Sequence, residues 1–380
     1  MKNYPSNMMS LNYRTVILSV AFLALLGASC TKDNDPVVVP PDNTVTGDNK
    51  FMFCFRSDDS GWGYCSKTLT SVMGANMNCY GSSDDFSGYG VMAGIEVGKA
   101  QFVFGHNKGD NSYNKDFFIR KIQSNGEWGD ITDSGSWENN YETVLGLKVG
   151  QKGFLFGLDS YGDHHWFVQE ITADGKLAGG ESDNGDWNNF YASATPLYAG
   201  GKTYIFFQTT SSDNYWFISR VSESGQLSDV CDGYWGNFWE GVASVEVGGN
   251  TYLIGNRNRH TMTMLGEYFI QKINSDGTMG AETDRGLWNN YYQNLRGYSY
   301  NGKAYLFGHN TDLTGGGPWF TQEITSGGKM GTTTSSGNME NEHLFFYPFN
   351  IYEPGSLRYS IGWDLSKTTG VRHGTGHQFL

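Results

Sequence analysis

The sequence predicts an all-β chain that folds as a β-propeller of four-stranded antiparallel blades, with seven blades favoured and six as the alternative. A block of about 50 residues recurs along the chain, a period typical of propellers, solenoids and arrays. Aromatic residues make up 15% of the chain, and 52 glycines stand against 8 prolines, as expected for short strands joined by glycine turns. No segment beyond the N-terminal apolar run has the period of an amphipathic helix.

Each repeat divides into four predicted strands, a to d, of which strand b is the clearest. Its seven copies are nearly evenly spaced, and this count favours seven blades. The last repeat is short, so we expect the N-terminal segment to complete its sheet and close the ring. The predicted copies of strand b are 51–55, 101–105, 153–157, 203–207, 251–255, 304–308 and 357–362.

Strand c is rich in aromatic residues, and a turn containing glycine follows each of its clear copies. Asn125-Gly126 and Asp174-Gly175 are typical of two-residue type I′ hairpins, so strands c and d are predicted to be antiparallel neighbours. The predicted copies of strand c are 117–122, 166–171, 216–221, 268–273 and 319–324, with a degenerate copy at 64–69.

Strand d ends in a recurring Asp-x-Gly-x-Trp signature, and strand a follows it. The signature occupies 133–137, 183–187 and 284–288, with a shortened form at 232–235. Strand a is assigned to 143–149 and 241–247, where small and aliphatic residues suit the innermost position around a crowded axis.

The N-terminus predicts export, with a signal peptide at 1–29, a flexible tether at 30–49 and the propeller at 50–380. Small residues lead from an apolar run into Cys30, which resembles the lipobox of Gram-negative lipoproteins. The resemblance implies lipid attachment at Cys30 and an outer-membrane location. Lys32-Asp33 is similar to the tag of lipoproteins displayed on the cell surface. An ordinary secretory signal is the alternative.

Charge and cysteine content limit the partners. The formal net charge is −13, and no basic stripe is present, so nucleic acid and anionic lipid headgroups are unsuitable partners. No cysteine or histidine spacing predicts a zinc site, and no cofactor is predicted. Cys54 and Cys65 fall on adjacent predicted strands, so a disulfide or free thiols remain open for them and for Cys79 and Cys231.

The repeat, with its tryptophan, Tyr-Leu-Phe-Gly strand, aromatic strand and Asp-Gly turn, resembles lectin propellers of the tachylectin-2 and tectonin type across 45–380. The resemblance implies sugar sites between blades, because aromatic faces stack on sugars and asparagine amides bind hydroxyls. As the alternative, each tryptophan packs against the next blade and the asparagines close a turn. The candidate ligand-binding residues are Trp137, Trp187, Asn188, Trp235, Trp288 and Asn289.

Acidic residues give two further interpretations. The aspartates of the signature (133, 183, 232 and 284) suit either Ca²⁺ or Asx-type turns, and the turns are favoured, so no metal is predicted. The glutamates beside strand junctions (138, 142, 181 and 240) are interpreted as solvated rim charges, so no catalytic residue is assigned.

The favoured function is therefore a lipid-anchored, non-catalytic protein that binds glycans or glycoproteins at weak multivalent sites. One alternative is a protein-interaction scaffold of an outer-membrane uptake complex. The other is a propeller glycosidase or lyase with carboxylates at the mouth of the central channel.

Overall fold

A computed structural model describes most of the chain from Lys50 onwards. The predicted signal peptide and the whole of the predicted tether, including Cys30, lie outside the described residues. No helix of the described part is long and apolar enough to cross a membrane. The described residues are 50–58, 61–68, 78–82, 89–107, 116–123, 128–159, 164–188, 191–209, 214–258, 265–292, 294–310, 317–338, 343–350 and 363–364.

Five antiparallel sheets, named blades 1 to 5, are each built from four consecutive strands, and a short fifth strand from the C-terminal part of the chain joins blade 3. Blade 1 contains β4 (Tyr89–Val97), β5 (Ala100–Asn107), β6 (Asp116–Ile122) and β7 (Trp128–Ser136). Blade 2 contains β8 (Thr143–Val149), β9 (Lys152–Leu158), β10 (His165–Ile171) and β11 (Leu177–Asp186). Blade 3 contains β12 (Tyr191–Ala199), β13 (Lys202–Thr209), β14 (Tyr215–Val221) and β15 (Leu227–Tyr234). Blade 4 contains β16 (Gly241–Val247), β17 (Asn250–Asn258), β18 (Gly266–Ile273) and β19 (Met279–Trp288). Blade 5 contains β20 (Asn294–Tyr300), β21 (Lys303–His309), β22 (Pro318–Ile324) and β23 (Met330–Asn338).

The two ends of the propeller share a further sheet, which we call the closing sheet. It contains β1 (Lys50–Asp58), β2 (Gly61–Thr68), β3 (Asn78–Ser82) and β24 (His343–Asn350), in the order β24-β1-β2-β3. Strand β24 contacts both β4 and β20, while the first strands of blades 1 to 5 contact one another in chain order. The inner strands therefore form a closed ring, and pairing of the chain ends protects the sheet edges there.

The predicted count of seven blades is wrong. In the described part of the chain, five blades, rather than the seven or six that the sequence favoured, are built from consecutive strands. The strand-b copy at 51–55 lies in the closing sheet, where it pairs with β24 instead of beginning a separate repeat. The copy proposed at 357–362 lies outside the described residues. A two-residue strand that follows it, β25 (Trp363–Asp364), pairs with β12.

The type I′ turns lie at a different hairpin from the one predicted. Between strands c and d of blade 2, three residues separate Thr172 from Lys176, which are joined by a 2.8 Å backbone hydrogen bond. Only the last of the three, Gly175, has a positive φ, 78°. This is a type I turn followed by a left-handed residue. Between strands a and b of blade 5, Asn301 and Gly302 both have positive φ, 50° and 71°, as a type I′ turn requires.

The tight a–b and c–d hairpins lie at one end of each blade, and the longer connections lie at the other. At this second end, strand b leads to strand c and strand d leads to strand a of the next blade. Functional residues of propellers and barrels are commonly carried on such connections over a rigid scaffold. This end of the ring is therefore where a site is expected.

Candidate functional site

The tryptophan of each signature lies at a junction between two blades. Trp137, which follows β7, stacks on Phe104 of its own blade with ring centroids 5.1 Å apart. It also packs edge-on against Phe167 of blade 2, at 5.2 Å, and against Tyr141 of the connection, at 5.0 Å. The indole thus fills the space between the outer parts of blades 1 and 2.

The same arrangement recurs at the three following junctions. Each tryptophan is half-buried, contacts its own blade, and meets a phenylalanine of strand c in the next blade. The pairs are Trp187 with Phe217 at 5.4 Å, Trp235 with Phe269 at 5.0 Å, and Trp288 with Phe320 at 5.0 Å. Asn188 and Asn289, which follow two of these tryptophans, are exposed.

These contacts support the packing alternative for the tryptophans. The rings are held between blades by several aromatic neighbours, which leaves only part of each indole at the surface. A ligand-binding role for the four tryptophans and for Asn188 and Asn289 stays a prediction.

The aspartates of the signature join neighbouring blades. The Oδ2 atom of Asp133 accepts a hydrogen bond from the backbone N–H of Leu177 in blade 2, at 2.9 Å. Asp183 accepts one from Leu227, at 2.7 Å, and Asp284 accepts one from Met330, at 2.8 Å. Each aspartate also binds the next N–H in its own strand. The aspartates therefore do more than bind the neighbouring backbone as in a turn. Each carboxylate also connects its own strand d to strand d of the next blade.

Cys231 occupies the corresponding place in blade 3. It stands four residues before Trp235, as Asp133 stands before Trp137, so the alignment that used Asp232 is shifted by one residue. Asp232 accepts instead a hydrogen bond from the Tyr215 hydroxyl, at 3.1 Å. Burial raises the pKa of the Cys231 thiol. Within the described residues, no group of three His, Cys, Asp or Glu side chains could hold a metal ion.

Two acidic residues come together at the inner end of blade 2. Thr143, the first residue of β8, pairs with Leu158, the last residue of β9. Glu142 precedes Thr143 and Asp159 follows Leu158, so the two acids occupy neighbouring positions at the end of the same hairpin. Both are buried, with 3% of Glu142 and 8% of Asp159 exposed. The interpretation of Glu142 as a solvated rim charge is therefore wrong.

The surroundings of this pair are polar and aromatic. Asn140 Nδ2 donates to Glu142 Oε1 at 3.4 Å, and the backbone N–H of Asp159 donates to the His165 carbonyl at 2.8 Å. Burial raises the pKa of Tyr141 to about 12, the hydrogen bond with Asn139 lowers it, and the charges of Glu181 and Asp159 raise it. The Asp159 charge thus contributes to the raised pKa of Tyr141.

Of the five blades, only blade 2 carries an acid at both of these positions, although blade 4 shares the glutamate. The corresponding residues are Gly90 and Asn107 in blade 1, Ala192 and Thr209 in blade 3, Glu240 and Arg257 in blade 4, and Gln293 and Asn310 in blade 5. A feature of the scaffold would be expected in most blades. The pair of acids is specific to one blade, which is the asymmetry expected of a catalytic site in a repeat protein.

Sequence reasoning named Glu142 without its partner and did not single out Asp159. The two residues are 17 positions apart, and neither belongs to a recognisable motif. Pairing the two predicted strands of this hairpin could have identified the two acids as neighbours. The predicted strand 143–149 coincides with β8, and the predicted strand 153–157 is one residue shorter than β9 at each end.

Comparison with known proteins adds structural neighbours. No family model matches the chain, and no curated protein matches it. One similar solved structure is a GH43 β-xylosidase/α-arabinofuranosidase from a compost microbial metagenome, in complex with xylotriose. It has 14% identity and a TM-score of 0.40 over 63% of this chain and 93% of that chain. Another is the GH43_1 enzyme from Xanthomonas citri complexed with xylose, with 12% identity and a TM-score of 0.43 over 65% and 91% of the two chains.

The expectation of a non-catalytic glycan-binding protein is corrected by the surroundings of the residues on which it depended. The two neighbours named above are enzymes, but similarity at this level assigns no activity to the present chain. Within the chain itself, the tryptophans on which the lectin expectation depended are packed between blades. One of the supposed rim charges, Glu142, is buried beside a second acid. The two neighbours do not show the lectin-type resemblance.

Proposed function

We propose that this propeller is a glycoside hydrolase in which Glu142 and Asp159 are the two catalytic carboxyl groups. The observation that carries the proposal is their juxtaposition, buried, at the inner end of blade 2. Placing two carboxyl groups together away from water is unfavourable when both are ionised. Such pairs are characteristic of sites where one carboxyl acts as an acid and the other as a base or nucleophile.

The proposal includes a retaining mechanism, in which one carboxyl group is the nucleophile and the other is the acid–base group. Retaining glycosidases hold their carboxyl groups about 5–5.5 Å apart, whereas inverting enzymes need about 6.5–9.5 Å to admit a water molecule. The mechanism proceeds in two displacements. One carboxylate attacks the anomeric carbon while the other carboxyl protonates the departing oxygen, and water then releases the sugar with the second group acting as base.

The test is hydrolysis of a panel of aryl glycosides by the purified chain, with Glu142→Gln and Asp159→Asn as variants. Aryl β-xylosides and α-arabinofuranosides are the first probes, since enzymes with those activities are among the structural neighbours. Glu240→Gln is the matched control, because Glu240 holds the position of Glu142 in blade 4. We expect hydrolysis of at least one glycoside, with a loss of at least about 10³-fold in each variant and little change in the control.

Two outcomes would overturn the proposal. One is the absence of turnover across the panel by a folded wild-type chain. The other is retention of activity by both variants. The configuration of the product formed with azide can also identify the nucleophile. Direct attack on the substrate of a nucleophile variant gives a glycosyl azide of inverted configuration, whereas attack on the glycosyl-enzyme of an acid–base variant gives one of retained configuration.

The cellular location forms a separate part of the proposal. We propose that the chain is exported and anchored by a lipid on Cys30 to the outer membrane, so that the site acts on glycans at the cell envelope. The support is the apolar run followed by Gly-Ala-Ser-Cys. Incorporation of radiolabelled palmitate, abolished by Cys30→Ser, would support it, and recovery of the unlabelled wild type in the soluble fraction would contradict it.

A further inference from the structure

Three cysteines lie in line across the closing sheet. In the register of β1 with β2, Cys54 is the partner of Cys65. In the register of β2 with β3, Cys65 is the partner of Cys79. Opposed positions on neighbouring strands belong to the same face of a sheet. The three cysteine positions therefore form one row on one face, with Cys65 in the middle.

The backbone spacing permits a disulfide on either side of Cys65. Opposed residues of an antiparallel pair have Cα atoms about 5.5 Å apart where they exchange hydrogen bonds and about 4.5 Å apart where they do not. Disulfides span Cα distances of about 4.4–6.8 Å. Cys54 and Cys79 are two strand spacings apart, about 9.5 Å, which is too far for a bridge without movement of the backbone.

We propose that the row holds one disulfide and one thiol, and that Cys65 is shared between two alternative partners. The bond joins Cys65 either to Cys54, which connects β1 to β2, or to Cys79, which connects β2 to β3. The closing sheet, which joins the two ends of the propeller, therefore contains a disulfide that responds to redox conditions and exchanges between two pairs of cysteines.

The chemistry needs an oxidant only for the first bond. The Cys65 thiolate attacks glutathione disulfide, and a mixed disulfide forms while one glutathione thiolate leaves. The thiolate of a neighbouring cysteine then attacks the Cys65 sulfur and displaces the second glutathione. Two protein thiols are oxidised, and one glutathione disulfide is reduced to two glutathiones. Exchange follows without further oxidant, because the third thiolate attacks Cys65, forms the new bond and releases its former partner as a thiolate.

Three single substitutions in the full-length chain test the proposal. Cys54→Ser, Cys65→Ser and Cys79→Ser chains are equilibrated with oxidised and reduced glutathione and quenched in acid, which stops thiolate exchange. They are then alkylated at acidic pH before and during unfolding, and mapped as peptides without reduction. Cys231→Ser is the matched control, since Cys231 lies in blade 3 and is half-buried there. We expect a Cys65–Cys79 link in the first variant, no link within the row in the second, a Cys54–Cys65 link in the third, and both links in the control.

Other patterns contradict the inference. If Cys54→Ser or Cys79→Ser also loses the disulfide, the bond is a fixed pair and Cys65 is not shared. If all three cysteines of the wild type are alkylated under oxidising conditions, the row contains no disulfide. The wild-type chain gives a reading that does not depend on the folding of any variant. Its peptide map should contain both links, and a single link at every glutathione ratio would overturn the proposal.

Discussion

Trp187 of blade 2 packs edge-on against Phe217 of blade 3, with ring centroids 5.4 Å apart and planes at 89°. On its other side, the indole stacks on Trp166 of its own blade at 5.4 Å. This relationship explains why the tryptophan recurs at the ends of blades 1 to 4. Neighbouring sheets diverge away from the axis, and a large flat side chain fills the widening space between them.

Replacing the Trp187 indole tests whether it stabilises the fold by filling the space between blades 2 and 3. Trp187→Ala should lower the free energy of unfolding by about 2–4 kcal/mol, somewhat below the loss for a fully buried tryptophan, because the ring is half-buried. Chemical denaturation measures the change. Tyr234→Ala is the control, since this ring is 67% exposed, and it should change the stability by no more than about 0.5 kcal/mol. Equal effects of the two substitutions would show that packing of Trp187 between the blades does not stabilise the fold.

A glycine near the axis sets the approach of two inner strands. A Cβ atom at Gly146 of β8 would overlap the backbone carbonyl oxygen of Gly94 in β4. Because a backbone oxygen cannot rotate away as a side chain can, Gly146→Ala should destabilise the fold by about 1–3 kcal/mol or more. Gly179→Ala is the matched control, as nothing lies within 4 Å of the added carbon. A thermal melt in which Gly146→Ala matches the control would refute this close approach.

The aspartate contacts between blades should be measurable singly. Asp183→Ala removes the acceptor of the Leu227 N–H, which leaves a partly buried donor without its partner. The expected loss is about 1–3 kcal/mol in the free energy of unfolding. Asp130→Ala removes the same charge from an exposed position of β7 and serves as the control. If both variants lose the same amount, the effect comes from net charge and not from the contact.

Glu267 predicts a specific pH dependence. Burial raises the pKa of this carboxyl, but hydrogen bonds and charges of Arg257 and Arg285 outweigh the burial and hold the pKa below its ordinary value of 4.5. A depressed folded-state pKa gives stability that is present above the unfolded pKa and lost as the pH falls through the folded value. Glu267→Gln should therefore be less stable than wild type at pH 7.

The difference between these two chains should shrink as the pH falls below about 4.5, where the wild-type carboxyl gains a proton in the unfolded and then the folded state. Unfolding midpoints measured from pH 7 to pH 3 provide the test. Glu223→Gln, at an exposed position, should show no such convergence. A constant gap between Glu267→Gln and wild type across this range would show that the arginine contacts do not depend on the charge.

Much of the local structure follows from the sequence, because the repeat imposes it several times over. Strands 143–149 and 241–247 coincide with β8 and β16. The remaining strand predictions in blades 1 to 5 agree within a few residues. Similar residues pack at each junction between blades, so the strand assignment made in one repeat is strengthened by the same pattern in the others.

The sequence was less informative where the chain departs from its repeat. The blade count failed because the strand-b copy at 51–55 shares a sheet with β24, almost 300 residues away, and so adds no repeat of consecutive strands. The sequence did lead us to expect that the N-terminal segment would help to close the ring. Asp159 was not singled out, because its closeness to Glu142 depends on the exact register of β8 with β9. An active site in a repeat protein is by nature an exception to the repeat.

The most direct test of the proposed site is covalent trapping. The wild-type chain would be incubated with a 2-fluoro glycosyl fluoride of whichever sugar it hydrolyses best, and the intact mass and peptide map would be recorded. A retaining enzyme that uses this pair should gain one fluoroglycosyl group, located on Asp159 or Glu142. A label on any other residue, or an active chain that is never labelled, would contradict the account.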